Sequence, residues 1–355
     1  MKTINRRDFI TKTSILASAI PLGFNSINCK RKEDSKQIEI ISGVRDFLQR
    51  VAHRDGSFRP GIDSNYKGKS DTEYSALAAP TYATIISKTF GWNLPYPSKT
   101  IDFLHSCQKI DGVFYAPSGK MDPNSPLAKL YNTVQAVVAL RLLGERPKYN
   151  PMPVIKNFFK NDNLKQLPLH TTSFFALFFS AWDKKMPKYI DNLIREYIVN
   201  QQKDDGFLQN HVAATFHAVH YFRLVGQPTP KATKIVNRVL RDQKNDGSWS
   251  LHQPDWDVHA CFDALFILRQ LADPSNLKVK KAYQKATRWI INCRKPDGGF
   301  SHFPGDAPSD VDATYFHVGG LVQTEYLKMT SGLNNKEILG WGHVMDPNVN
   351  YSCIK

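Results

Sequence analysis

Gln243-Lys244-Asn245-Asp246-Gly247-Ser248-Trp249 ends an amphipathic stretch and opens an apolar one, and its core returns along the chain. An Asp-Gly pair followed within two residues by an aromatic occurs five times. The copies are Asp55-Gly56-Ser57-Phe58, Asp111-Gly112-Val113-Phe114, Asp205-Gly206-Phe207, Asp246-Gly247-Ser248-Trp249 and Asp297-Gly298-Gly299-Phe300. Their aspartates are 56, 94, 41 and 51 residues apart, and the 94 is close to two periods. Recurrence on this length scale means stacked copies of one supersecondary unit.

Each pair closes an amphipathic helix. Over residues 230–244, Ile235, Val236, Val239 and Leu240 form one stripe and Lys234, Arg238, Arg241 and Lys244 lie off it. Residues 98–109, 187–202 and 279–294 read the same way. Glycine stops such a helix because it takes positive φ without a Cβ clash, and the aspartate before it can bond nearby loop amides. After each aromatic comes a polar loop and then a far more apolar helix. These second helices are expected at Thr72–Lys88, Tyr131–Leu143, Leu169–Trp182, His211–Val225, Asp257–Leu271 and Val311–Met329. Being apolar almost all round, each should be buried on most sides. The third repeat is degenerate, with Asn161-Asp162-Asn163 in the Asp-Gly slot. The expected fold is all-α: six hairpins closing into a two-layer α/α toroid over residues 38–330, with an inner ring around a funnel. Residues at the starts of the inner helices line that funnel, where helix dipoles favour anions. Residues 331–355 lack the pattern and read as a surface tail.

The 355 residues, 41% hydrophobic and 12% aromatic, suffice for one large domain or two small ones. Five scattered cysteines (29, 107, 261, 293, 353) argue against a disulfide framework. A net charge of +15 suits an anionic ligand or a membrane surface, or simply a solvated lysine-rich exterior. No dense Lys/Arg block or nucleic-acid motif occurs, so nucleic acid is not the expected partner. The oligomeric state is not legible.

The start of the chain reads as a targeting segment over residues 1–28. Asn5-Arg6-Arg7-Asp8-Phe9-Ile10-Thr11-Lys12 resembles a twin-arginine export signal, and the apolar run Ile15 to Phe24 is too short to span a bilayer. Cys29, after Ser26-Ile27-Asn28, sits where a lipoprotein would be cleaved and lipidated, with residues 29–37 as a linker. The alternative is a basic amphipathic start without a targeting role. The export reading implies a periplasmic or membrane-anchored protein.

The stretch 243–249, with Gln108-Lys109-Ile110-Asp111-Gly112-Val113-Phe114 as a second copy, resembles the Gln-x-x-x-Gly-x-Trp repeat of terpenoid cyclases and protein prenyltransferase β subunits. That resemblance implies an isoprenoid or other apolar small molecule held in the funnel. Two activities follow from it. In zinc prenyltransferases a histidine-led stretch binds the isoprenoid diphosphate, and His211-Val212-Ala213-Ala214-Thr215-Phe216 is similar to it. About fifty residues on, that family carries Asp-x-Cys as zinc ligands, and here His259-Ala260-Cys261 fills the slot. The family's third ligand position is Ala313, with Asp310, Asp312 and His317 nearby, so the implied zinc set is His259, Cys261 and Asp312. The family's Arg and Lys before Asp-x-Cys fall on Gln253 and Trp256. In cyclases, Asp-x-Asp-Asp-Thr supplies a proton from its second aspartate. Asp310-Val311-Asp312-Ala313-Thr314 is similar, with alanine for the third aspartate, so Asp312 and Asp310 are the catalytic candidates.

Each candidate has a plainer reading. Asp257, Asp310 and Asp312 at inner-helix starts make good N-caps, and Asp257 joins His211 as a substrate-binding candidate. Cys261 on a buried helix is often only a small core residue. His259 and Asp263 share a helix face and could simply bond each other. His217 and His220 read as core or rim histidines, and His170, His302 and His317 as cavity candidates. Phe174, Phe175, Phe178, Phe179, Phe216, Tyr221 and Phe222 either line a tunnel or pack between layers. Two further functions stay open. One is a carbohydrate-acting (α/α) barrel using Asp257 with Asp310 or Asp312, and Trp92, Trp182, Trp249, Trp256 and Trp341 to stack sugars. The other is a toroid scaffold that has lost its site.

Overall fold

Helices account for the regular secondary structure of the described residues, and six of them close a ring. The computed structural model describes residues 23–160, 163–250, 259–306 and 308–330, with side chains from residue 34 onward. The twin-arginine stretch, the Cys29 side chain, Asp257 and residues 331–355 lie outside them. Residues 1–42 form one unit, described only as the start of helix α1 (Gly23–Val51). Residues 43–355 form the second.

In the second unit the inner helices are α3 (Ala78–Thr89), α5 (Pro126–Leu142), α7 (Thr172–Ala181), α9 (Val212–Leu224), α11 (Ala260–Leu271) and α13 (Val311–Gln323). Each packs on the next, and α13 returns to pack on α3. The outer layer is the last turns of α1, then α4 (Pro97–Ser106), α6 (Met152–Asn157), α8 (Lys188–Gln201), α10 (Ala232–Asp242) and α12 (Leu277–Asn292). The two-layer toroid expected from the repeat is present. The third outer helix, α6, has only six residues, and it belongs to the repeat whose Asp-Gly is missing.

The repeat turn has one geometry in all five copies. The aspartate Oδ1 accepts from the backbone N–H two residues on, at 2.9 Å for Asp55, Asp111 and Asp246, 3.0 Å for Asp205 and 3.1 Å for Asp297. The glycine between takes φ from 88° to 104°, where a Cβ would be strained. Glutamine does more than close its own turn. Nε2 of Gln108, Gln202 and Gln243 donates to the carbonyl of its turn glycine and also to Tyr149, Pro230 and Ala282 respectively. Those partners lie at or within the next hairpin's outer helix, so the motif joins one repeat to the next. In the sixth repeat, Gly298 abuts Gly43 of the first and completes the outer layer.

Three inner helices differ from their expected spans, for local reasons: α5 starts at Pro126 rather than Tyr131, because Ser125 caps it by accepting from Ala128 N at 3.1 Å. A short helix α2 (Asp71–Tyr74) precedes α3, because Ser75 turns extended and breaks the run. Its Oγ donates to Asn132 Oδ1 at 2.6 Å and accepts from Leu77 N at 3.1 Å. α13 stops at Gln323 rather than running to Met329: Glu325 takes φ 61°, and the Leu327 amide bonds back to the Leu321 carbonyl. No described helix is long and apolar enough to cross a membrane.

Candidate active site

The inner-helix starts carry two kinds of group, a frame and a set of side chains it presents. The frame includes a threonine one turn into α9 and α13 and two turns into α5. Thr133, Thr215 and Thr314 accept through Oγ1 from the backbone N–H of Phe114, Leu208 and Phe300, at 3.3, 3.1 and 3.0 Å. Thr215 and Thr314 also donate to the carbonyls of His211 and Asp310. The threonines matched in both family comparisons therefore anchor each helix to its repeat turn. His211 is itself an N-cap, its Nδ1 accepting from Ala214 N at 3.3 Å.

Asp310 and Asp312 divide into frame and reactive group. Asp310 is fully buried and caps α13: Oδ1 accepts from Asp312 N at 2.6 Å, and Oδ2 accepts from Lys69 N at 3.3 Å and Thr72 Oγ1 at 3.2 Å. Asp312, equally buried, has one pairing: Oδ2 lies 3.0 Å from His259 Nε2, and Oδ1 has no partner among the described residues. Ser70 Oγ is 3.2 Å from the same His259 nitrogen, and the His259 ring stacks on Phe316 with centroids 3.6 Å apart. Burial, then the nearby Asp71 charge, pushes the Asp312 carboxyl well above the carboxylate range, with His302 opposing. Burial likewise pushes His259 below the ordinary imidazole value. Both shifts favour the neutral forms, a carboxylic acid against an imidazole. His302 lies 3.9 Å from both Asp310 and Asp312, too far to bond, and both its nitrogens are buried without partners among the described residues.

The described residues place metal-type ligand atoms together in two groups. Asp71, His259 and Asp312 form one, and His302, Asp310 and Asp312 the other, all within 4.8 Å in each. These are where a cation could be held. Of the expected zinc set, His259 and Asp312 meet and Cys261 does not join them. Residues two apart on a helix point to different sides, and Cys261 is packed into the core of α11. The thiolate that distinguishes the prenyltransferase zinc site is therefore missing from either group.

Ser70, Asp71 and His259 form part of the wall of a cavity of about 460 Å³. Tyr82, Tyr131, Phe174, Phe216 and Phe316 supply aromatic faces, and His170, His211, His217 and Asp263 add polar groups. Asp312 stands directly behind this wall, hydrogen-bonded to His259. Tyr82 stacks on Tyr315 of α13, with centroids 4.0 Å apart, and its hydroxyl donates to Asp71. No lysine or arginine lines the cavity among the described residues. The neighbouring stretch 251–258 contains none in its sequence.

Several side chains depart from their expected places. Asp263 makes no side-chain bond to His259 among the described residues; it lines the cavity. His217, read as core or rim, lines the cavity with Nδ1 2.7 Å from Ser173 Oγ. His317, read as a cavity group, pairs with the Ser301 carbonyl at 3.0 Å. His302 sits over the two aspartates, and His170 does line the cavity. Phe175, Phe178, Phe179 and Tyr221 are buried and absent from its lining. Trp249 donates to the Val239 carbonyl at 2.7 Å, and Trp92 and Trp182 stack on Phe90 and Phe178. None of these three tryptophans lines the cavity, so none can stack a sugar there. Asp71 and Ser70 were missed, although an acid at an inner-helix start is the signal that singled out Asp310.

The model for the prenyltransferase alpha-alpha toroid domain matches residues 27–121 and 169–343. The chain belongs to that family. The unmatched interval 122–168 contains the short helix α6 of the degenerate third repeat. Among solved structures, the toroid resembles a variant of the type II terpene cyclase MstE from Scytonema, in complex with geranylgeranyl dihydroxybenzoate. The TM-score is 0.53 at 13% identity, covering 84% of this chain and 99% of that one. It also resembles protein geranylgeranyltransferase-I of Candida albicans complexed with GGPP, at TM-score 0.51 and 11% identity, covering 74% and 92%. A protein from Actinoplanes matches at 0.51 and 13%, covering 82% and 99%. At such identities the likeness is one of fold.

Proposed function

We propose that the toroid binds an isoprenoid chain in its aromatic cavity and protonates it, as an acid-initiated cyclase. The observation that carries this reading is the fully buried Asp312, paired with His259 at 3.0 Å directly behind an aromatic wall, where burial shifts its carboxyl toward the protonated form. Protonating an unactivated alkene needs a carboxylic acid that stays protonated at working pH, and burial provides it. Asp312 is then the proton source, and Asp71 and His259 are the groups through which it meets the cavity. Delivery of a proton to an alkene carbon through these wall groups, made good by the Asp312 proton, leaves the Asp312 carboxylate and a carbocation. The faces of Tyr82, Tyr131, Phe174, Phe216 and Phe316 suit a developing cation. Loss of a proton from the final cation resets the acid. Asp310 orients Asp312 by capping its helix.

The transferase alternative needs a diphosphate and a thiol-activating zinc. A diphosphate calls for Arg or Lys, and the described cavity lining offers neither. Cys261 stands apart from His259 and Asp312.

The decisive experiment incubates the purified full chain with polyprenyl substrates and follows cyclised products. Asp312→Asn should lower turnover by at least about a thousandfold, because the amide cannot serve as the acid, with the thermal transition retained. Turnover that survives Asp312→Asn overturns the reading. So does stoichiometric zinc that is lost in Cys261→Ala, which would restore the transferase.

A further inference from the structure

Asp263 is a carboxyl group in an unusual position. It lies in α11 one turn beyond His259, is 2% exposed, and lines the cavity. Its Oδ2 is buried with no hydrogen-bond partner among the described residues. No lysine or arginine among the described lining residues pairs with it, and Phe216, Phe262 and Phe266 pack together on the same helix interface. Leaving a buried polar group unsatisfied costs about 1–3 kcal/mol, and an apolar residue of similar size would avoid that cost. A leucine would avoid that cost, and the neighbouring buried positions of α11, Phe262, Leu265, Phe266 and Ile267, are apolar.

We infer that Asp263 is a specificity group that hydrogen-bonds an uncharged oxygen function of the bound isoprenoid. The ligand class is an oxygen-bearing isoprenoid, with a hydroxyl, ether or carbonyl inside the aromatic cavity, rather than a pure hydrocarbon. This rests on the isoprenoid reading above and narrows its substrate. That the partner is uncharged follows from the surroundings. No lysine or arginine in the described lining offers a counter-charge to an anionic ligand group. An anionic partner such as a diphosphate would face Asp71 and the two buried acids behind it without a compensating cation. A neutral oxygen meets no such penalty. His217 adds to the same polar region while staying neutral, since burial and the other histidines hold it well below the ordinary imidazole value.

The test is calorimetric binding to the full chain of geranylgeraniol and of its deoxy analogue, a hydrocarbon of the same chain. The native protein should prefer the alcohol by about tenfold, the worth of one hydrogen bond to a buried group. Asp263→Leu should bind the hydrocarbon at least as well and lose the preference. Asp263→Asn should keep part of it, because the amide still hydrogen-bonds an alcohol. Thermal unfolding checks the fold of both variants, and Asp263→Leu should match or exceed the native Tm. A native protein that binds the hydrocarbon without preferring the alcohol overturns the inference and leaves the isoprenoid reading standing. An Asp263→Leu protein that keeps the full preference does the same. Failure of both probes to bind native protein removes the isoprenoid reading, and the inference with it.

Discussion

His220 shows how one buried side chain can set the acid limit of the fold. It lies in α9, fully buried, stacked on Phe216 and edge-on to Phe266, and neither ring nitrogen has a hydrogen-bond partner among the described residues. Burial alone pushes its pKa from 6.5 to about 3. The folded state therefore refuses a proton that the unfolded chain accepts between those values. Stability from this site is complete above pH 6.5 and is lost progressively as the pH falls toward 3. The loss is on the order of 3–5 kcal/mol across that window. His220→Phe fills nearly the same space without a titrating group. It should flatten the acid limb of the Tm–pH profile and leave the neutral Tm equal or higher. An unchanged acid limb would mean that other groups, such as the similarly buried His317, dominate it. At this scale the sequence was least legible. His220 and His217 are three residues apart on one helix, yet one packs in the core and the other lines the cavity. Asp263 and His259 do share one helix face, but helix spacing could not say whether they bond each other or look into a cavity. Thr215 and Thr314 looked like functional matches because frame and function share the same few residues at each helix start.

The repeat turn is the element whose role was clearest from sequence, and its glycine gives a sharp test. Gly247 takes φ 104°, and a Cβ there would stand 2.5 Å from the Lys285 carbonyl oxygen in the next outer helix. Gly144, after α5, takes φ 85°, and a Cβ there would meet nothing within 4 Å. Alanine at Gly144 meets backbone strain alone, about 1–2 kcal/mol. Alanine at Gly247 meets the same strain and an inter-repeat clash, together about 3 kcal/mol or more. Denaturant titration of the two variants should separate them by at least about 1 kcal/mol. Equal losses would show that the turn's cost is conformational only, and that its contact with the next repeat contributes nothing. The hairpins themselves followed from hydrophobic period and Asp-Gly spacing, because both are local and recur along the chain. The break at Ser75 did not follow, because it depends on Asn132, 57 residues away in the next inner helix.

Closure of the ring belongs to the second unit, residues 43–355, and decides how it unfolds. In an open solenoid each repeat touches only its neighbours, so losing a terminal repeat subtracts one unit and one interface. Here α13 packs on α3 as well as on α11, and the Asp71–Tyr82–Tyr315 and His259–Asp312 contacts sit on those seams. Removing the last hairpin therefore exposes two apolar inner-helix faces at once, including Tyr82 of α3 and Leu265 of α11, each 0% exposed in the closed ring. A full buried side chain is worth about 1.5–3 kcal/mol, so opening even a few of them rivals the ~5–15 kcal/mol that holds a typical domain together. A chain ending at Asn276, which lacks α12 and α13, should lose its cooperative thermal transition while retaining helical circular dichroism, and should bind a hydrophobic dye. A truncated chain that still unfolds cooperatively, only at lower temperature, would show that the remaining five hairpins behave as an open stack and that the α13–α3 seam adds no more than an ordinary interface.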